Sequence, residues 1–167
     1  MTKDQYLRMT GRTRRICRRL PLGERLLQMP VLLLAALYLA ELTRLLLGRD
    51  PRFLKTALVP ACCFLAATVL RRLINRPRPY DRFGAPPVGR YSPGKGRSLP
   101  SRHTASAAAI ALALCAVWPS LPARAAVLLL GALIAFLRVA AGQHYPGDVL
   151  AALLLSGILS AAGYILL

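Results

Sequence analysis

Five long apolar runs, each closed by polar or charged residues, constrain this chain more than any other feature. They lie at about 30–47, 56–74, 104–119, 122–141 and 147–167. A bilayer core takes about 20 helical residues and tolerates about 17, so the runs predict membrane-spanning helices. Hydrocarbon offers no hydrogen-bond partner, so each segment has to satisfy its own backbone. The expected fold class is therefore all-α, an integral membrane helix bundle of about five transmembrane helices. It occupies 30–167, with a loop at 71–103, and follows a basic N-terminal interfacial or cytosolic segment at 1–29.

Charge and hydrophobicity are segregated. The chain is 56% hydrophobic yet carries a formal charge of +17, from 23 basic and 6 acidic residues. The positive residues gather in 1–25, in the loop 71–102 and at segment ends. A soluble nucleic-acid binder mixes charge with a modest core, so no nucleic-acid partner is expected. Residues 1–25 hold eight basic and two acidic residues. They fit a basic helix on anionic lipid or a solvated tail that sets topology. No cleavable leader is expected, because the first apolar run starts only near residue 30. Cys17, Cys62, Cys63 and Cys115 have neither metal-ligand nor disulfide spacing and read as packing residues.

Details within the runs are consistent with a bundle. Glu41 and Arg44 form a potential (i, i+3) pair near one end of the first run. Trp118 suits an interface at the end of the short third run. Pro60 should kink the second helix without breaking it.

Three polar clusters stand out against this background: Arg71–Pro79, Pro100–His103 and Arg138–Asp148. Charged residues at membrane depth are costly unless they serve a purpose. The first cluster ends run two, the second opens run three, and the third joins runs four and five. In a five-helix bundle all three fall on one membrane face, so they are able to meet. Pro146 favours the first helical position, which places His144 just before the last helix and Asp148 in its first turn. A carboxylate there would fix the imidazole tautomer and leave the other nitrogen nucleophilic; a local cap by Asp148 is the alternative. Ser101 is a good N-cap for helix three, whose free N–H groups and dipole make an anion site. Arg71, Arg72, Arg76 and Arg78 supply guanidinium groups that match phosphate oxygens, although arginines also anchor helix ends. The arginines oppose a divalent cation, so neither a metal nor another cofactor is expected.

Together the clusters resemble the three-part signature of the type-2 phosphatidic acid phosphatase superfamily. Its first motif is Lys, six residues, Arg-Pro; here Arg71, six residues, Arg78-Pro79. Its second is Pro-Ser-Gly-His; here Pro100-Ser101-Arg102-His103. Its third is Ser-Arg, five residues, His, three residues, Asp; here Leu137-Arg138, then His144 and Asp148. The resemblance covers roughly 56–165 and implies a membrane-embedded, metal-independent lipid phosphatase. It implies that His144 attacks phosphorus, that Asp148 orients it, and that His103 protonates the leaving oxygen. Arg71, Arg78, Ser101, Arg102 and Arg138 would hold the phosphate. Undecaprenyl diphosphate, phosphatidylglycerophosphate and phosphatidate are the implied partners, with the bilayer itself.

Two other readings use the same residues. The wider superfamily includes vanadate-dependent haloperoxidases, against which the short membrane-bound chain argues. A non-catalytic basic membrane protein would bind anionic lipid through 1–25 but leaves the two histidines unexplained. Deleting residues 1–20 separates the two classes, since an enzyme is expected to keep its chemistry. The charge-asymmetry rule points to a cytoplasmic site. The resemblance points to the extracytoplasmic face of the cell membrane, which is the expectation adopted.

Overall fold

The computed structural model describes residues 1–20, 23–94 and 96–166. Pro21 and Leu22 of the basic segment, Lys95 of the loop and Leu167 of the last run lie outside the described residues. The described residues form eight helices: α1 (Lys3–Arg19), α2 (Gly23–Leu26), α3 (Met29–Leu47), α4 (Arg52–Ile74), α5 (Pro79–Phe83), α6 (Arg102–Val117), α7 (Leu121–Ala140) and α8 (Pro146–Leu166). Helices α3, α7 and α8, and the stretch Arg52–Phe83 that contains α4, are long and apolar enough to cross a membrane. The fifth expected span, α6, is an apolar helix of 16 residues.

Shortness suits α6 because it is the centre of the bundle, packed against α3, α4, α7 and α8. Its alanines 105, 107, 109, 111 and 113 are all buried. Small side chains let helix backbones approach closely, which is how apolar helices associate without a hydrophobic driving force. Gly131 of α7 faces Ala107 and Ala111 at such a crossing. Leu34, Leu114, Val127 and Ile134 fill the space around it. The large leucines of α3, α4, α7 and α8 instead point outward, as Leu39, Leu65, Leu129 and Leu154 do. Outward leucines are the expected face toward lipid.

Several polar groups inside the spans find partners, although Ser160 Oγ and Tyr164 Oη of α8 are buried without one. Arg44 donates twice to Glu41, at 2.6 and 3.1 Å, so the anticipated pair exists. Helix α4 runs through Pro60 unbroken. Proline has no N–H to give Thr56, four residues back; the Tyr38 hydroxyl of α3 donates to that carbonyl at 2.9 Å. Trp118 ends α6, and its carbonyl accepts from Arg124 at 2.5 Å.

Helix α1 carries a capping box between Thr2 and Gln5. It lies across the end of the bundle where α7 meets α8. Tyr6 and Thr10 form its buried face, while Arg8, Arg12, Arg15, Arg18 and Arg19 are exposed.

Candidate active site

Four helix ends meet at one end of the bundle: the C-termini of α4 and α7 and the N-termini of α6 and α8. Asn75 closes α4 in the left-handed conformation, which Asn tolerates better than most residues. The connection then folds back on the helix ends through backbone bonds. Ser98 N–H donates to Arg76 O at 2.8 Å, Val88 N–H to Ala141 O at 2.8 Å, and Ser101 N–H to Asp148 O at 3.1 Å. The last of these ties the starts of α6 and α8 directly together. The three polar clusters of the sequence are thus in contact.

At their centre is a cavity of about 450 Å³ lined by Arg71, Arg78, Arg102, His103, Arg138 and His144. Arg90 and Arg97 of the connecting loop also reach its wall. Arg71 is held from behind, its Nε donating to Arg97 O at 2.8 Å. Arg78 is braced by Gly96 O and by the Gln143 side chain. The Nε of Arg138 is buried without a partner. An unsatisfied buried donor is costly.

Behind the wall sits Asp148, fully buried. One carboxylate oxygen accepts from Ser98 Oγ at 2.5 Å and from Tyr145 N–H at 3.0 Å. The same oxygen lies 3.6 Å from His144 Nδ1. That separation is too long for a hydrogen bond but short for a charge interaction. The other oxygen accepts from Arg76 at 2.9 Å, and the Arg76 guanidinium stacks 4.3 Å over the Tyr145 ring. His144 is 2% exposed, and burial holds its imidazole below the ordinary pKa, against the opposing pull of Asp148. It is therefore neutral at neutral pH, with Nδ1 toward the carboxylate and Nε2 left for the cavity.

The turn carrying His144 is clamped by α1. Gly142 has φ +75°, and a Cβ there would meet Thr10 Cγ2 at 2.6 Å and the Tyr6 ring at 2.8 Å. Thr13 Oγ1 donates to Ala140 O at 2.9 Å, and Tyr6 Oη to Ala85 O at 3.0 Å. Burial pushes the Tyr6 phenol up to about 12, so it remains a donor. Rings continue the contact inward, Tyr6 against Phe83 and Phe83 against Tyr145.

Of the residues singled out in the sequence, Arg71, Arg78, Arg102, His103, Arg138 and His144 share the cavity wall. Ser101 and Asp148 stand behind it. Ser101 is the N-cap of α6, and its buried hydroxyl oxygen accepts from the Thr104 side chain at 3.0 Å. Its hydroxyl does not line the cavity and instead caps the start of α6. Sequence reasoning missed Ser98, which stands before the second motif, and Gln143, which fastens the Val88–Arg90 loop through its amide. It saw Arg76 only as one cation among several. Neither Ser98 nor Gln143 carries a local pattern that marks it.

An arginine-lined anion cavity with two histidines, set at the end of a lipid-facing bundle, defines a membrane phosphatase. Residues 52–167 match the family model of the PAP2 superfamily, and the chain belongs to that superfamily. A search of curated proteins gave no significant match. Among solved structures, the crystal structure of Aquifex aeolicus LpxE is similar, with a TM-score of 0.72 at 24% identity. The match covers 97% of this chain and 93% of that one. At this identity the likeness establishes the fold, including the helices that precede the family match.

Proposed function

We propose that the protein is a metal-independent lipid phosphatase that works through a phosphohistidine. The observation carrying this reading is that His103 and His144 share one arginine-lined cavity while Asp148 backs His144. Neutral His144 attacks phosphorus through Nε2, forming an N–P bond as the P–O bond to the lipid breaks. With the substrate's phosphate charge offsetting the arginines around it, His103 takes up a proton and gives it to the departing oxygen. Positive charge on the new phosphohistidine ring draws Nδ1 toward Asp148, tightening the 3.6 Å contact. His103, now neutral, takes a proton from water, which attacks phosphorus, releases phosphate and restores His144.

Arg71, Arg78 and Arg138 hold the equatorial oxygens, where charge accumulates in the transition state. Ser101 contributes by capping α6, whose first N–H groups and dipole reinforce the anion site. The lipid-facing bundle gives the substrate a lateral approach from the bilayer, and the exposed arginines of α1 suit an anionic membrane surface. We place the site on the extracytoplasmic face of the membrane, following the family resemblance.

The test is phosphate release in detergent from undecaprenyl diphosphate, phosphatidylglycerophosphate and phosphatidate, with EDTA present. Release is expected from wild type and is lost in His144→Ala, with a ³²P-labelled acid-labile adduct trapped only in wild type. Unchanged turnover in His144→Ala sinks the assignment. For sidedness, single cysteines at 92 and 120 in a cysteine-free background are labelled from outside cells. Labelling at 92 alone supports the extracytoplasmic site, and labelling at 120 alone reverses it.

A further inference from the structure

We infer that the substrate is a lipid diphosphate and that Arg102 recognises the phosphate that stays on the lipid; this rests on the phosphatase reading above. The first argument is charge. Arg71, Arg78, Arg102 and Arg138 line one cavity of about 450 Å³, with the exposed Arg90 and Arg97 at its edge. Among the described residues no carboxylate lines that cavity. The ion pairs found elsewhere, Glu41–Arg44, Asp50–Arg52 and Asp148–Arg76, involve none of the six. A phosphate monoester dianion balances two of the four less exposed guanidinium groups and leaves two to repel each other. The family signature accounts for three: Arg71, Arg78 and Arg138. A second phosphate is the simplest group that meets the rest.

The second argument is position. An apolar groove of about 230 Å³, lined by Leu34, Phe64, Ile110 and Ile134, adjoins the charged cavity. The two spaces share Val31, Arg102 and His103. The Arg102 guanidinium lies 5.7 Å from the Phe64 ring centroid, at the mouth of the groove. A lipid with its tail in the groove and its terminal phosphorus at His144 must pass His103 and Arg102. On a diphosphate, the bridging oxygen falls at His103 and the retained phosphate at Arg102. On a monoester, the tail's first carbons would lie against an unpaired guanidinium, which strips its hydration without replacing it. Arg102 stands where the family signature has Gly, so the extra cation is a feature of this chain.

The reaction balances. His144 forms the N–P bond to the terminal phosphorus, and the bond from that phosphorus to the bridging oxygen breaks. The bridging oxygen keeps the electron pair, accepts the proton of His103 and leaves as part of a lipid monophosphate. Water then hydrolyses the phosphohistidine as above.

The experiment measures kcat/KM for phosphate release from farnesyl diphosphate and farnesyl monophosphate, which share one tail. Wild type is expected to favour the diphosphate at least tenfold. Arg102→Gln should cut that ratio at least tenfold, Arg102→Lys should keep part of it, and Arg138→Gln should lower both rates and leave the ratio standing. A ratio that does not move in Arg102→Gln, or a wild-type preference for the monophosphate, overturns the inference. Should Arg102→Gln fail to elute as a folded species, a ratio in Arg102→Lys equal to wild type overturns it. Release from phosphatidate or phosphatidylglycerophosphate but not from farnesyl diphosphate keeps the phosphatase reading and overturns this one. Absence of release from every lipid overturns both.

Discussion

Ser98 Oγ donates to Asp148 Oδ2 at 2.5 Å across 50 residues of sequence, and both side chains are fully buried. The oxygen it holds is the one facing His144. Ser98 thus sets where the carboxylate stands beside the imidazole. A hydrogen bond to a charged group contributes about 1.5–3 kcal/mol. Ser98→Ala is expected to lower kcat by about tenfold to a hundredfold, since each tenfold is about 1.4 kcal/mol. KM should change little, because Ser98 does not line the cavity. A variant with wild-type kcat would show that Arg76 and Tyr145 N–H suffice to place Asp148.

The clamp of α1 on Gly142 reverses the expectation that residues 1–20 are dispensable for chemistry. Removing them strips Tyr6, Thr10 and Thr13 from the turn that carries His144. The deletion is expected to lower kcat at least tenfold while the bundle remains folded by circular dichroism. Gly142→Ala should do the same, through the clash with Thr10 and about 1–2 kcal/mol for a non-glycine residue in the left-handed region. Full activity in the deletion variant would return α1 to the role of a surface segment.

Burial of His144 makes a pH prediction whose sign is definite. A group whose pKa is lowered stays neutral to more acid pH than the ordinary imidazole, about 6.5. The chain has two histidines, so His103→Ala leaves a single imidazole to follow by ¹⁵N NMR in detergent. That imidazole should remain neutral at pH 6.5 and protonate only below it. Titration at or above 6.5 would mean that the pull of Asp148 outweighs burial. Stability follows the same sign: the buried neutral ring favours the fold at higher pH, and that contribution declines as acid protonates the unfolded chain first.

Tyr38 and Pro60 should be thermodynamically coupled. The Tyr38 hydroxyl serves the Thr56 carbonyl because proline at 60 cannot. Tyr38→Phe is expected to destabilise by about 1 kcal/mol, the net contribution of one hydrogen bond. In a Pro60→Ala background, where the residue-60 N–H is present, the same substitution should cost less than half as much. Equal costs in a thermal double-mutant cycle would deny the coupling.

The amino-acid sequence by itself determined the parts whose physics is local. Apolar length set the spans, Asn75 closed α4, Ser101 capped α6, and Pro146 opened α8, each by rules acting within a few residues. Parity of the spans then brought Arg71, Arg78, His103, Arg138 and His144 to one face, which is why so much of the cavity wall was legible. Tertiary structure decided what depends on distant partners. Ser98 lies in a loop rich in Gly, Pro and Arg, with nothing nearby to mark it as the ligand of Asp148. Arg76 reads as a helix-end cation until it is seen stacked on Tyr145 and bonded to the carboxylate. Helix α1 is basic enough to suggest a free surface segment, yet two buried residues, Tyr6 and Thr10, dock it onto Gly142. Packing selects one neighbour among many chemically equivalent ones, and only the assembled bundle specifies which.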